Sequence, residues 1–451
     1  MILKAPFLSK SVETALERLS EASFSAYVVG GAIRNTLLSI PPHDFDVTTS
    51  ASPSEICEIF CDYTTVKTGM KHGTVTVIIE NEPIEITTFR SDGDYLDGRH
   101  PSGVSFASDI KEDLSRRDFT MNAIAYNKQS GFVDLFSGIS DIENGIIRAV
   151  GEPEKRFSED ALRILRALRF ASVYDFSIEK STEAAIRKLY PSLSLLSAER
   201  IFSELKLLLC GRGVERILID YKEVICHILP ELKECVGFLQ HSPYHSYDVY
   251  THTAKTVSAC PSEPKIRLAA LLHDCGKPEV FKMTDGVGHF YGHSEVSAEK
   301  AETALKRLKS DNLTRSTVVA LIKHHVSVIN ETQKSVKRYM NKLSPDVFSM
   351  LIDLKLADNA SKTEKAPARF GEAKKLRAIM EEIRKTDACF SLKQLKINGD
   401  GIINLGAPHG RIVGEILDIL LSEVISGECE NSEEALKTRA LQIIKNKNLI
   451  N

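Results

Sequence analysis

The chain has 451 residues, of which 43% are hydrophobic and 26% charged, and its formal net charge is −3. This length is sufficient for two to four domains, and the small net charge excludes a uniformly basic nucleic-acid-binding protein but not one with local basic patches. No apolar run reaches the ~18 residues of a membrane span, and the nine cysteines form no CxxC pair. We therefore expect a cytoplasmic protein with reduced thiols and no membrane association.

The first 150 residues alternate between helical and strand patterns. An amphipathic helix is predicted for residues 11–22, and four strands are predicted at AYVVG, DFDVTT, GTVTVII and PIEITTF. In DFDVTT, Asp44 and Asp46 are two apart, so they project from the same face of a strand. Two like charges at that separation are costly without a cation, so the pair predicts a divalent-metal site.

Two further features point to nucleotide chemistry. Gly30 and Gly31 permit the close approach of a triphosphate, and Glu85 is placed to supply a third carboxylate. The segment RRDFTMNAIAY (116–126) offers arginines and a carboxylate for a triphosphate and its ribose. Each feature alone is an ordinary turn or solvated charge cluster, but their joint order indicates nucleotidyl transfer.

From Ser158 to about residue 230 the pattern is helical, with Ser158 predicted as a helix N-cap. Asp160 and Arg163 are three residues apart, so we expect them to share a helix face. A carboxylate beside a guanidinium can meet the pairing edges of cytosine or adenine, whereas guanine and uracil would leave buried polar groups unpaired. The alternative is a surface ion pair.

A third helical region, about residues 240–360, contains most of the histidines. Imidazoles and carboxylates are good ligands for Mg²⁺ or a divalent transition metal. The candidate ligands are His252, His273, Asp274, His293, His324, His325 and Asp358. A lone histidine on a helix is more often packed or solvated, but seven suitable residues favour a metal centre.

Several long segments occur in the order found in one known family: GGAIRN–DFD, KTGMKHGTVTV, IEITTFR, DYLDGRHPSGVSF, DLSRRDFTMNA, VDLFSGISDI and EDALRILRALRF. Over at least residues 25–210 the chain resembles the class II tRNA nucleotidyltransferases, which are the bacterial and eukaryotic CCA-adding enzymes of the polymerase-β superfamily. The resemblance implies an α+β protein with an N-terminal mixed-sheet head followed by all-α domains. The expected division is a nucleotidyltransferase head (1–150), a base- and tRNA-binding neck (151–235), an HD domain (236–360) and a tRNA-binding tail (361–451).

The resemblance also implies residue roles. Asp44 and Asp46 match the carboxylates that bind Mg²⁺, and Glu85 matches the third acidic position. The implied nucleotide-binding residues are Gly30, Gly31 and Arg34 for the triphosphate, Arg117 and Asp118 for the ribose, Asp160 and Arg163 for the base, and Arg166 and Arg169 for phosphates. The chain departs from the family at Asn35, where an aspartate is usual.

The implied reaction is template-independent addition of C, C and A to the tRNA 3′ end from CTP and ATP. The segment TGMKHGTVTV lacks the basic GRRF-like stretch of related poly(A) polymerases. The segment SDGDYLDGRHPSGVSF (91–106) resembles a loop that is short or missing in enzymes adding only the two cytidines but retained in some A-adding enzymes. An enzyme that adds only A therefore stays open, as does a metal phosphohydrolase with a degenerate RNA-binding head.

The histidine region resembles the HD phosphohydrolase superfamily. His252, His273, Asp274 and Asp358 match its minimal ligand set, and the other histidines match extra positions of members with two metals. The resemblance implies hydrolysis of 2′,3′-cyclic phosphates or phosphomonoesters at damaged tRNA ends. A degenerate domain that serves only as a scaffold is the alternative.

Overall fold

The computed structural model describes residues 5–42, 44–92, 104–107, 109–363, 370–386 and 388–446. The chain forms two compact units, residues 1–230 and 231–451, and each is considered by itself. Unit 1 contains a mixed sheet with helices, whereas unit 2 is almost entirely helical. The α+β fold class is therefore confirmed. Within the described ranges, no helix combines the length and apolar character required to cross a bilayer.

Unit 1 begins with the sheet and ends with helices. Its strands are β1 (Ala26–Val29), β2 (Asp46–Thr49), β3 (Thr64–Val66), β4 (Thr74–Ile79), β5 (Glu82–Thr88), β6 (Arg90–Asp92), β7 (Val104–Phe106), β8 (Ile124–Asn127), β9 (Gly131–Asp134), β10 (Ile146–Ile147) and β11 (Ser177–Ile178). Its helices are α1 (Lys10–Glu21), α2 (Gly31–Leu37), α3 (Pro53–Ile59), α4 (Ile110–Ser115), α5 (Gly138–Glu143), α6 (Pro153–Glu159), α7 (Leu162–Tyr174), α8 (Lys180–Leu189), α9 (Ala198–Leu209), α10 (Val214–Asp220) and α11 (Lys222–Ile228).

The main sheet has seven strands in the order β3-β4-β5-β2-β1-β8-β9. Strands β2 and β5 are parallel, and their register pairs Asp46 with Glu85 and Val47 with Ile86. Because side chains alternate between faces, the two carboxylates project from one face, while Val47 and Ile86 are buried on the other. The four strands predicted from the sequence thus bring two candidate metal ligands together.

The helical part of unit 1 differs from the prediction at Ser158. This residue lies inside α6, which begins with Pro153 at its first turn, and the chain leaves helical geometry at Asp160 before α7 begins. Asp160 Oδ1 accepts a hydrogen bond from the Leu162 amide at 3.0 Å. Ser158 is therefore not an N-cap, because Pro153 starts an earlier helix and Asp160 supplies the oxygen that satisfies an amide of the next one.

Unit 2 consists of helices and one short hairpin. Its elements are α12 (Val249–Ala259), α13 (Pro264–Leu272), α14 (Lys277–Val280), β12 (Lys282–Thr284), β13 (Val287–His289), α15 (His293–Arg307), α16 (Asn312–His324), α17 (Gln333–Leu343), α18 (Pro345–Ala360), α19 (Phe370–Lys385), α20 (Gly399–Asn404), α21 (Arg411–Ser426) and α22 (Glu433–Asn446). Helices α20 to α22 share a small core that includes Ile402, Ile416 and Leu436. Residues in or at the ends of helices α12, α13, α15, α16 and α18 form the histidine cluster described below.

Candidate active site and candidate metal centre

A cleft of about 460 Å³ lies beside the C-terminal end of β1 in unit 1. It is lined by Gly30, Gly31, Arg34, Asp46, Arg116, Arg117, Asp118, Asn122, Asp160, Leu162, Arg163, Arg166, Arg169, Phe170 and Arg200. Gly30 has a φ of +72°, and a Cβ atom at this position would lie 3.1 Å from Arg117 Nη1. A side chain there would be strained and would crowd the cleft, which explains the glycine.

Of the three candidate metal carboxylates, Asp46 lines this cleft and Glu85 lies beside it in the sheet. Asp46 is accessible to solvent but surrounded by protein on several sides, and this partial burial, together with Glu85 and Asp44, raises its pKa, while Arg117 opposes the rise. Among the described residues, groups of three ligand atoms within 4.8 Å of one another occur only in unit 2. Asp46 and Glu85 are thus neighbours on one face of the sheet, without being drawn that closely together. Strand β2 begins at Asp46, so Asp44 precedes it, and the prediction that Asp44 and Asp46 project from one face of a strand is wrong.

Arg34 is held by uncharged partners. Its guanidinium donates to Asn122 Oδ1 at 2.6 Å and to Asn35 Oδ1 at 3.0 Å, and it lies over the rings of Phe170 and Tyr174. Asn35 therefore fills the buttressing position with a hydrogen bond instead of a salt bridge. Because these partners carry no charge, the positive charge of Arg34 is available to an anion in the cleft.

The RRD motif is organised by a carboxylate that the sequence reasoning missed. Asp113 is fully buried and binds Arg116 at 2.6 Å and Arg117 at 3.1 Å. Burial acts to raise the pKa of Asp113, but the two guanidinium groups outweigh it and lower that pKa. Since Asp113 precedes the arginines by three and four residues near the end of α4, helical spacing was the signal that could have identified it.

Asp118 lines the cleft and is held there by protein groups. Its Oδ2 atom accepts from Arg166 at 2.6 Å, and its Oδ1 atom accepts from the Phe119 amide and from Asn122. Burial acts to raise the pKa of Asp118, yet Arg166 and these hydrogen bonds keep it below the usual value. Both carboxylate oxygens are therefore engaged, and Asp118 supports Arg166 at the edge of the cleft.

Asp160 and Arg163 both line the cleft. They do not share a helix face, because α6 ends at Glu159, Asp160 lies in the extended break that follows, and Arg163 lies in the first turn of α7. Asp160 Oδ2 binds Arg200 at 2.7 Å. Arg163 binds Glu159 at 2.7 Å and donates to the main-chain carbonyl of Arg116 at 3.0 Å. The i,i+3 prediction is wrong in its geometry, although it identified two residues that line the same cavity.

Arg169 lies at the back of the cleft beside a second carboxylate that the sequence reasoning missed. Its Nε atom is 2.8 Å from Glu204 Oε2, but neither atom has hydrogen-bond geometry to a described partner. Burial raises the pKa of Glu204, against the opposing effect of Arg169 and Arg166. Arg200 and Glu204 are four residues apart on α9, so this helix presents both to the cleft residues of α7.

In unit 2, six of the seven predicted ligands form one buried cluster. Asp274 is its centre: Oδ2 lies 3.1 Å from His273 Nε2 and 3.6 Å from His252 Nε2, and Oδ1 lies 3.3 Å from His293 Nε2 and 3.7 Å from His325 Nε2. Asp358 Oδ1 adds a contact of 3.1 Å to His252 Nε2. Two three-ligand groups result, His252–His273–Asp274 and Asp274–His293–His325. The two groups share Asp274, as a bridging carboxylate would.

The histidines are held in the tautomer that suits a metal. In each of the four, the Nδ1 atom faces a main-chain carbonyl, and the distances to Ala270, Phe290, Ile322 and Ser361 are 2.7, 2.7, 2.6 and 3.4 Å. A carbonyl only accepts, so Nδ1 carries the proton and Nε2 keeps its lone pair toward the cluster. His293 Nε2 and His325 Nε2 are 3.3 Å apart, an arrangement that places two lone pairs together unless a cation lies between them.

Charged groups surround the cluster. The buried Nε2 atom of His273 lies 3.1 Å from Asp274 Oδ2 and has no partner with hydrogen-bond geometry among the described residues. Burial acts to lower the pKa of His273, but the carboxylates of Asp274 and Asp358 outweigh it and raise that pKa. Burial lowers the pKa of His325 to about 4, so this ring is neutral near pH 7. Lys277 and Lys362 each approach one carboxylate of the cluster, Asp274 and Asp358 respectively, at 2.6 Å.

His324 does not belong to the cluster. Its ring meets the ring of Tyr339 edge-on and its Nδ1 atom is 3.4 Å from Ser327 Oγ. Successive helical residues point about 100° apart, so His325 faces the cluster at the end of α16 while His324 faces away. The prediction of His324 as a ligand is therefore wrong.

Residues that the sequence reasoning missed include His245, whose ring meets that of His252 edge-on at 5.0 Å. Burial, with smaller effects of Lys277 and His252, lowers the pKa of His245 to about 3. His245 lies in an irregular segment before α12, so no periodic pattern pointed to it. The loop predicted at residues 91–106 lies largely outside the described residues.

Three segments of the chain match models of known protein families. Residues 26–148 match "Poly A polymerase head domain", residues 175–235 match "Probable RNA and SrmB- binding site of polymerase A", and residues 289–440 match "tRNA nucleotidyltransferase domain 2 putative". The first segment contains Asp44, Asp46 and Glu85, and the last contains His293 and Asp358.

Full-length similarity is also found. The chain is 33% identical over 448 residues to the CCA-adding enzyme of Ligilactobacillus salivarius strain UCC118, covering 96% of each chain. It is 46% identical over 226 residues to the CCA-adding enzyme of Enterococcus faecalis strain V583, covering 50% of this chain and 55% of that one. The crystal structure of the Bacillus stearothermophilus CCA-adding enzyme in complex with CTP superposes with a TM-score of 0.71 at 27% identity, covering 99% of each chain.

Proposed function

The chain belongs to the family of CCA-adding enzymes, and on that premise we propose that it adds C, C and A to the 3′ end of tRNA from CTP and ATP, releasing pyrophosphate. This proposal rests on the cleft of unit 1, where Asp46 lies among several arginines and is paired in register with Glu85 on the next strand. Carboxylates next to a basic cavity suit a triphosphate with its metal. The cytoplasm, where immature tRNA occurs, is the proposed location.

Nucleotidyltransferases of this family use divalent metals, and we assign Mg²⁺ to Asp44, Asp46 and Glu85. The donor set fits because carboxylate oxygens are the ligands that Mg²⁺ prefers. Burial, with smaller effects of Glu85 and Asp44, raises the pKa of Asp46, and a cation would stabilise its ionised form. When bound, the metal supplies charge neutralisation at the phosphates and activates the terminal ribose hydroxyl.

The side chains of the cleft bind and select the nucleotide. Arg34, whose partners are uncharged, is proposed to bind the triphosphate at the start of α2. Asp160 and Arg163 are proposed to meet the base, held in place by Arg200 and Glu159. Cytosine and adenine both offer an amino group to a carboxylate, whereas uracil and guanine at the same position place a carbonyl oxygen against the Asp160 carboxylate and gain no hydrogen bond from it.

Three tRNA substrates test this proposal: one ending before CCA, one after C and one after CC, each with CTP, ATP or both. Full CCA addition predicts extension of all three to the same end product. An enzyme that extends only the CC-ending tRNA adds A alone. If none is extended, the proposed function fails.

A second function is favoured by the histidine cluster of unit 2. We propose that its two ligand groups, which share Asp274, would hold divalent ions of a transition metal or Mg²⁺, and that the centre hydrolyses cyclic phosphates or phosphomonoesters at damaged RNA ends. Buried ligands with their Nε2 lone pairs directed at one point support this assignment. Such ions supply an activated water at neutral pH.

The second function is tested with manganese-loaded enzyme and an RNA that ends in a 2′,3′-cyclic phosphate. Opening of the 2′,3′-cyclic phosphate by water to a phosphomonoester, by the wild type and not by the His273→Ala variant, supports a hydrolytic centre. Equal rates in both proteins mean that the cluster is a scaffold.

We further propose that the functional division follows the expected boundaries, with a head to residue 150, a neck to 235, an HD domain to 360 and a tRNA-binding tail to 451. None of these functions depends on the oligomeric state of the protein.

A further inference from the structure

We propose that a groove between α16 and α17 in unit 2 binds the phosphate backbone of RNA. The groove has a volume of about 800 Å³. Its lining combines the cations Arg315, Lys323 and Lys342 with apolar side chains, among them Leu313 and Leu343. The inference depends on the proposed function only for the identity of the RNA, which is tRNA.

One wall of the groove is a regular row on α16. Arg315, Val319 and Lys323 all line the groove and are spaced by four residues. Residues four apart lie on one helix face with a rise of about 6 Å per step. Val318, Leu321 and Ile322 of α16 are buried in the core, while Arg315 and Val319 are partly exposed and Lys323 is exposed. It presents two cations about 12 Å apart along the axis.

The second helix carries a similar row. The sequence of α17, QKSVKRYMNKL, contains four basic residues and no acidic residue. Lys334, Arg338 and Lys342 are spaced by four and exposed, whereas Val336 and Met340 are buried. Burial of the apolar stripe therefore turns this basic row outward, and its last member, Lys342, reaches the groove.

These cations are poorly compensated within unit 2. Among the described residues, no carboxylate lies within 4.0 Å of Lys323, Arg338 or Lys342. Glu302 lines the groove, but its carboxylate pairs with Lys306 at 2.6 Å. Unpaired like charges repel one another, and a bound polyanion would remove that repulsion while releasing its own counterions.

The arrangement fits an extended polyanion better than a single phosphate. A lone phosphate needs donors that converge, whereas these cations are distributed along the helices. Leu313, two-thirds exposed at 67%, offers an apolar contact for a ribose or base at one end of α16. His324 also lines the groove, while its neighbour His325 faces the metal cluster, so the groove lies on a different side of α16 from the cluster.

The test compares two charge-reversal variants of the full chain. The groove variant carries Arg315→Glu, Lys323→Glu and Lys342→Glu. The matched control carries Lys282→Glu, Lys374→Glu and Lys393→Glu, three exposed lysines of the same unit outside the groove. The dissociation constant for tRNA is measured at several salt concentrations, and circular dichroism melting verifies that both variants are folded.

The groove variant should bind tRNA at least about tenfold more weakly, and the slope of log K against log salt should fall by about 2, since each lost phosphate contact removes 0.7–0.9. The control should bind within about twofold of the wild type and retain its slope. At saturating tRNA the kcat of nucleotide addition should be unchanged, because the substitutions are outside the cleft.

The outcomes separate this inference from the proposed function. If the wild type extends tRNA but the groove and control variants bind it equally, the groove inference is overturned and the function stands. That result would also be expected if the groove served a protein partner. If the wild type does not extend tRNA at all, the proposed function fails. In that case, a specific loss of RNA binding in the groove variant would still support the groove.

Discussion

At the scale of single residues, most candidate side chains are held by a partner that the motifs did not reveal. Asp113 holds the two arginines of the RRD motif, Arg200 holds Asp160, and Glu204 lies against Arg169. A motif identifies which residue types meet the ligand, but their supports come from other elements and from spacing that only folding makes meaningful. This explains why the site residues were predictable from sequence and their network was not.

The contact between Asp118 and Arg166 shows how much such a supporting carboxylate contributes to stability. The Asp118→Asn variant keeps the shape but leaves the half-buried Arg166 without its carboxylate, and we expect the free energy of unfolding to fall by about 2 kcal/mol. Urea denaturation measures this change. Asp175→Asn is the control, because Asp175 and Arg216 form a solvent-exposed pair that is worth less than about 1 kcal/mol. Equal losses in the two variants would contradict the supporting role of Asp118.

His325 and His324 provide a second comparison, between neighbours in the chain. We expect manganese-loaded wild type to retain two ions per chain, His325→Ala to lose one of them, and His324→Ala to keep both, because only His325 faces the cluster. Metal content after gel filtration, measured by mass spectrometry, decides the matter. A loss of metal in His324→Ala, or none in His325→Ala, would refute the ligand assignment.

At the scale of elements, periodicity predicted the strands well and the helix boundaries poorly. The strands AYVVG, DFDVTT, GTVTVII and PIEITTF all form, because alternation and β-branched residues agree there. The prediction of a helix that begins at Ser158 was wrong, because the apolar spacing continues across the break between α6 and α7 and hides it. Pro153, a typical first-turn residue, was the local signal for the earlier start.

Glu179 stabilises the N-terminal boundary of α8. It precedes α8 and accepts hydrogen bonds from the Thr182 amide at 2.9 Å and from Ser181 Oγ at 2.7 Å. Burial acts to raise the pKa of Glu179, but these bonds lower it to about 2. The ionised form therefore contributes stability above the ordinary pKa of 4.5, and this contribution is lost as the pH falls toward 2.

We expect Glu179→Gln to lower the free energy of unfolding by about 1 kcal/mol at neutral pH. The difference between the variant and the wild type should narrow as the pH is lowered from 4.5 toward 2, because protonation removes the same charge from the wild type. Urea midpoints of both proteins at neutral pH and at about pH 3 measure this difference in stability. A difference that is constant with pH would rule out ionisation of Glu179 as its source.

At the scale of the whole molecule, two sites of different chemistry lie in different compact units. The cleft of unit 1 offers hard carboxylate oxygens on a strand face, whereas the cluster of unit 2 offers neutral imidazoles around one shared carboxylate. The first donor set favours Mg²⁺ and the second also suits transition metals. Sequence motifs identified both sets because their ligand types are distinctive, but the sharing of Asp274 between two groups required coordinates.

This separation predicts reciprocal variants. Asp44→Ala combined with Asp46→Ala should reduce nucleotide addition by at least about a thousandfold, since charge stabilisation at the phosphates is lost, while manganese retained by unit 2 stays at the wild-type level. His273→Ala combined with Asp274→Ala should abolish manganese retention and leave the addition of C and A within about twofold. Both quantities are measured on each full-length variant, by primer extension of tRNA and by metal analysis. The unfolding midpoint of each variant shows whether the untouched unit remains folded. If the histidine variant also loses nucleotide addition while its unit 1 stays folded, the two centres are coupled and their independence is disproved.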